Sequence, residues 1–168
     1  YLARRLIEMR AEAEGIPGLH IVSLSCRTVV YKALVTGRQI PAFFLDFHAS
    51  DYETAAAVFH SRFSTNTLPA WALAQPLHLL AHNGEINTLW GNRNAMAMRR
   101  PILDSPLFGA LGERLRDVIW QGGSDSASLD NALELLVRSG RDPLEAAMML
   151  LPQAWEKYPD VDPAVKAF

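Results

Sequence analysis

Three short runs of this chain carry polar groups in patterns that could do chemistry. In "HSRFSTNT", His60 to Thr67, Arg62 is followed by Ser64, Thr65 and Asn66. A planar guanidinium fork beside hydroxyl donors suits recognition of a carboxylate, although a structural arginine paired with a distant acid would leave the same local pattern. In "AHNGEINTLWGNRN", Ala81 to Asn94, Asn83 offers a side-chain NH2, and Gly84 offers a backbone N–H with no Cβ in front of it. Two such donors side by side are what a developing oxyanion needs. Asn-Gly is also the commonest hairpin-turn signal, so a plain turn stands as the alternative. In "GGSDSASLDN", Gly122 to Asn131, the glycines and serine read as a helix start, with Ser124 or Asp125 accepting the free N–H groups. If Ser124 is the cap, Asp125 is left to hold a cationic group such as an ammonium.

Other candidates carry less. His60, His78 and His82 have spacings that match no familiar metal-ligand pattern, so no metal is expected. Cys26 lies in an apolar, β-rich stretch and reads as a small buried hydrophobe rather than a nucleophile. As the only cysteine it permits no intrachain disulfide and no thiolate-bound cluster.

The elements that must position these groups are legible in outline. Leu2, Leu6, Met9 and Ala13 recur at helical spacing until "GIPG" stops them. "LHIVSLSCRTVVYKALV" predicts a hairpin or a bulged antiparallel pair. Gly37 to Phe47 is ambiguous, an apolar stretch broken by Pro41. "TAAAVFHSRFS" and "PLHLLAHN" read as buried strands that deliver polar residues at one edge. Thr88 to Arg100 is expected to be helical, and Pro101 to Gly112 a loop. "SDSASLDNALELLVRSG" predicts a capped helix with Leu129, Leu133, Leu136 and Val137 on its apolar face. Pro143 opens a further helix through Met149, closed by Pro152. Paired strands followed by amphipathic helices favour an α+β layered domain over a regular βαβ alternation.

Bulk properties narrow the class. With 168 residues, 49% hydrophobic and 20% charged, the chain is expected to be one domain, or a large piece of one, of the ordinary globular kind. A formal net charge of -2, with both signs spread along the chain, gives no basic face, so nucleic acid is not an expected partner. No apolar run approaches the roughly 20 residues that span a bilayer. The charged amino end is unlike a signal peptide. A reducing, cytoplasmic type of compartment is expected.

Taken in order, "HSRFSTNT", "LAHNGEINTLWGNRN" and "GGSDSASLDNALELLVRSGR", continuing into "AMMLLPQAWEKYPDVDP", resemble the class II glutamine amidotransferase domain at the start of the glutamate synthase large chain. The resemblance covers nearly all of residues 1–168 and implies a four-layer αββα sandwich of the N-terminal-nucleophile hydrolase type. It implies that Arg62, with Thr65 nearby, holds the α-carboxylate of L-glutamine, Asp125 its α-ammonium, and that Asn83 and Gly84 form the oxyanion hole. It also implies a cysteine nucleophile at the amino terminus of the domain. Residue 1 here is Tyr, and Cys26 aligns with a position the family usually fills with Ser. The expectation is therefore an incomplete domain, lacking the nucleophile segment and the carboxyl-terminal remainder, and inactive alone. FMN and an iron–sulfur cluster are expected only in later domains of the full enzyme. Its synthase domains and a small electron-donating subunit are the implied partners. A domain that kept the glutamine pocket but became a non-catalytic binding or scaffold module is the alternative.

Overall fold

The computed structural model describes residues 16, 19–62, 68–103, 118–152, 156, 158 and 160–167. The expected helix over residues 2–13, most of the 101–112 loop and Thr65 lie outside them. Helices α1 (Ile40–Phe43), α2 (Leu89–Arg99), α3 (Asp125–Arg138), α4 (Pro143–Leu150) and α5 (Pro163–Ala167) are joined by irregular segments. Short 3-10 turns at Gly37–Gln39, Leu45–His48, Trp71–Leu73 and Arg100–Ile102 punctuate those segments. None of these helices is long and apolar enough to cross a membrane.

The longest element, α3, is bounded by local chemistry at both ends. The Ser124 hydroxyl accepts the Ala127 N–H at 3.1 Å, as expected of an N-cap, while Asp125 in the first turn and Arg138 in the last complement the helix dipole. Past Ser139 the chain turns through Gly140 at φ +99, a left-handed conformation that costs a residue with a Cβ about 1–2 kcal/mol. Gly140 N–H then reaches the Val137 carbonyl and Arg141 N–H the Leu136 carbonyl, closing a Schellman motif. Two residues on, the Asp142 carboxylate accepts the amides of Leu144 and Glu145 and starts α4, with Pro143 where its missing N–H costs nothing. Helix α4 packs on α3, and its Ala146 is fully buried.

The face that α3 buries differs from the one its leucines predict. Ser126, Ala127, Ser128, Asp130, Ala132 and Glu134 are the buried residues, whereas Leu129, Leu133, Leu136 and Val137 are half-buried. On one side of α3 Asp130 meets the backbone amides of His78, Leu79 and Leu80, so an acceptor rather than a leucine makes that contact.

Only the α part of the expected α+β class is formed among the described residues; the predicted strands there are not. In 19–35, serine hydroxyls take the amides a partner strand would need. Ser25 Oγ accepts from Arg27 N and Thr28 N, and Ser23 Oγ accepts from Val30 N at 3.1 Å. Cys26, expected to be buried, is exposed in this turn. In 55–62 the His60 ring accepts the Arg62 amide at 3.1 Å, turning the chain instead of extending it. The third predicted strand, 76–83, becomes a reversing loop in which Leu77 N–H meets the Leu80 carbonyl at 2.9 Å.

An aromatic cluster knits residues 31–52 together. Tyr31 lies 4.8 Å from Phe44 and 5.3 Å from Phe47, and its hydroxyl donates to Asp46 at 2.6 Å, which pushes the phenol well above its ordinary pKa. Lys32 Nζ ties this unit to the Trp71 carbonyl at 3.2 Å.

Candidate active site

The site is built where the 74–86 segment crosses the amino end of α3. Every backbone N–H of a folded segment needs an acceptor, and here side chains supply them. Asp130, one turn into α3 and 1% exposed, accepts Leu79 N–H at 2.8 Å and Leu80 N–H at 3.1 Å on Oδ1. Its Oδ2 accepts the His78 N–H at 3.0 Å and meets the His78 ring Nδ1 at 2.9 Å. Burial pushes this carboxyl's pKa up, but the bond to His78, the charge of that ring and the amides of Leu79 and His78 outweigh it and hold the carboxyl below its usual range.

Further along, Gln75 grips His82 from both sides: Nε2 donates to the His82 carbonyl, and Oε1 accepts the His82 N–H, each at 2.6 Å. The His82 ring meets the Ser126 hydroxyl at 2.9 Å, and that hydroxyl donates to Asp125 Oδ1 at 3.1 Å. With the hydroxyl proton committed to Asp125, His82 Nδ1 is the donor in its own bond. Asp125 Oδ2 accepts the Ile86 N–H at 2.7 Å, and Oδ1 takes the Ser126 N–H at 2.6 Å. Partial burial raises the Asp125 pKa, yet the Ile86 and Ser126 donors and the nearby His82 charge together bring it below the ordinary value. Asp125 is thus an anion across the physiological range.

Between these pinned residues Asn83 and Gly84 stand exposed, and neither has a hydrogen bond to another described residue. A Cβ on Gly84 would come within 3.3 Å of His82 Nε2, so glycine lets the backbone pass close over the imidazole. From the other side, Arg93 of α2 donates to the Gly123 carbonyl at 2.7 Å, the Gln121 carbonyl at 3.3 Å and the Ser128 hydroxyl at 3.0 Å, tying α2 to the turn before α3.

The Ile86–Asp125 bond therefore ties the segment that carries Asn83 and Gly84 to Asp125, which lies 41 positions beyond Gly84 in sequence. Arg62 is exposed, and among the described residues only its backbone is engaged, by His60. Ser124 caps and Asp125 turns away from the cap, the division of labour the sequence allowed. Gln75, Arg93, Ser126 and Asp130 were not singled out by sequence reasoning. A carboxylate inside the leucine pattern of α3 was the available sign for Asp130.

His78, Asp130 and Glu134 place one ligating atom each within 4.8 Å of one another. Four donors already fill the lone pairs of Asp130, so this cluster serves as a backbone clasp rather than a cation cage. Cys26 is remote from Asn83: its neighbour Ser25 meets Arg138 at the carboxyl end of α3, about 18 Å of helix from Ser126.

The chain belongs to the class II glutamine amidotransferases, whose family pattern it matches over residues 1–168. More particularly, it is similar to glutamate synthases. The ferredoxin-dependent glutamate synthase 2 of Synechocystis sp. is 49% identical over 160 residues, 95% of this chain and 10% of that protein. The glutamate synthase [NADPH] large chain of Azospirillum brasilense is 44% identical over 154 residues, 92% of this chain and 10% of that protein. The ferredoxin-dependent glutamate synthase of Pyropia yezoensis is 44% identical over 163 residues, 95% and 11% respectively. The chain spans about a tenth of the length of these curated relatives.

Proposed function

We propose that this chain is the glutamine-holding and oxyanion-stabilising part of a glutaminase domain within a glutamate synthase. The observation that carries the reading is the Ile86–Asp125 bond, which sets an ionised carboxylate beside the exposed Asn83-Gly84 pair. Asp125 receives the α-ammonium of L-glutamine, and Arg62 with Thr65 receives its α-carboxylate. Asn83 Nδ2 and Gly84 N–H take the charge that develops on the carboxamide oxygen.

A cysteine thiolate attacks the carboxamide carbon, the C–N bond breaks with a proton delivered to nitrogen, and ammonia leaves. Water then cleaves the thioester to give glutamate. Cys26 is on the wrong end of α3 for this, so the thiolate comes from outside these 168 residues. In the full protein the ammonia serves glutamate synthesis from 2-oxoglutarate. On this reading the four-layer αββα sandwich frames the site. FMN, an iron–sulfur cluster and a small electron-donating subunit then belong to other parts of the assembly.

The test is ammonia release from L-glutamine by the full-length protein, with calorimetric titration of the same ligand. Arg62→Ala is expected to raise KM roughly 10- to 100-fold with a smaller change in kcat, the loss of one charge-assisted contact made in ground and transition states alike. Cys26→Ser is expected to leave ammonia release within about twofold, as for an exposed residue away from the chemistry. Full-length protein that binds glutamine without releasing ammonia would point to the binding-module alternative. Absence of binding would overturn the pocket itself.

A further inference from the structure

We infer that Gln75 is a positioning residue for the oxyanion donors, fixing the peptide plane that aims Asn83; the inference rests on the glutaminase reading above. Its carboxamide is 9% exposed and makes two bonds of 2.6 Å to one residue, His82. The carbonyl it grips belongs to the same rigid peptide plane as the Asn83 N–H, so holding that oxygen orients the plane leading into Asn83. The N–H it grips fixes the plane on the other side. Both planes flanking His82 are thereby set, and the chain enters the Asn83-Gly84 turn in one orientation.

Geometry explains why a side chain does this work. Residues 77 and 80 are joined by a backbone bond, and the next facing pair in that register is 75 and 82. At that pair the Gln75 side chain, not its backbone, meets both backbone groups of His82. The Gln75 amide donates one bond and accepts another, and so stands in for a backbone rung. An apolar side chain of equal length would fill the space and leave two buried backbone groups of His82 unsatisfied.

The experiment compares the full-length protein with Gln75→Met and Gln75→Glu, measuring kcat and KM for ammonia release from L-glutamine between pH 5.5 and 8. Gln75→Met is expected to lower kcat roughly 10- to 100-fold, with KM within about threefold, because misplaced donors fail mainly in the transition state. In Gln75→Glu the carboxylate faces the His82 carbonyl and repels it, but the protonated acid reproduces both bonds of the amide. The ratio of its kcat to that of the unsubstituted protein is therefore expected to climb as pH falls. His78, His82, Asp125, Asp130 and Glu134 surround this segment in both proteins, so the residue at position 75 is the one ionisable difference between them.

An unchanged kcat in Gln75→Met, or a Gln75→Glu ratio that stays flat with pH, overturns the inference while the glutaminase reading survives. If the unsubstituted protein releases no ammonia, that reading fails and the inference with it. Should either variant fail to fold, hydrogen exchange at the His82 amide of the unsubstituted protein decides: slow exchange supports the clamp, and exchange as fast as an open loop overturns it.

Discussion

Asn83→Ala in the full-length protein is expected to lower kcat for glutamine hydrolysis by about 10²–10³, the range seen on removing one oxyanion donor, with KM changed only a few-fold. The asymmetry follows from when the contact is made. On the proposed reading, the ground-state carboxamide oxygen carries little charge, whereas the tetrahedral oxyanion gathers a full charge between Asn83 Nδ2 and the Gly84 N–H. Asn83 is exposed and takes no hydrogen bond from another described residue, so its truncation leaves nothing buried unsatisfied. Stability should consequently stay within about 0.5 kcal/mol, which separates a catalytic loss from an unfolding one. Asn83→Asp sharpens the test, since it keeps the shape but sets a negative charge against the developing one. It should lose at least as much. A variant that raised KM and left kcat unchanged would mean that Asn83 binds substrate uniformly and is no oxyanion donor.

The parts of this site that could be read from sequence are those governed by nearest neighbours. Ser124 as a cap and Asp125 freed from capping depend on chemistry within a few positions, and both are found where expected; the close pass of Gly84 over the His82 ring is a contact that no local pattern announced. Gln75 and Asp130 depend on contacts the sequence does not display. Asp130 reaches residues 50 to 52 positions away, and nothing in "SASLDNAL" says which amides it will meet. The strand expectations fail for a related reason. Periodicity registers that 19–35 and 76–83 are apolar, but not that Ser23, Ser25, Gln75 and Asp130 intercept their amides before a partner strand can. The same blindness puts Leu129 and Leu133 on the buried face of α3 in place of Ala127 and Asp130. An amphipathic pattern presumes an apolar surface opposite the helix, and opposite Asp130 lie the amides of His78, Leu79 and Leu80 instead.

That arrangement makes Asp130 the residue whose loss should be felt most in stability. Asp130→Ala removes the acceptor for the amides of His78, Leu79 and Leu80 and for the His78 ring at a position 1% exposed. Each buried donor left unpaired costs about 1–3 kcal/mol, so with partial relief by entering water the loss should be about 3–5 kcal/mol. In a multidomain protein this loss is read locally, as hydrogen exchange across residues 77–86 accelerated on the order of 10²-fold or more. Asp130→Asn keeps one oxygen for two amides but turns an NH2 toward the donors of His78, and should cost roughly half as much. The sign with pH follows from the depressed pKa of Asp130. Its folded value lies below the unfolded one, near 3.9, so the contribution is complete above that pH and is lost as pH falls through the folded value. The gap in protection between the unsubstituted protein and Asp130→Asn should accordingly be constant from neutral pH to about 5 and close below about 4. A gap that persisted unchanged to pH 3 would show that shape, not charge, holds the loop.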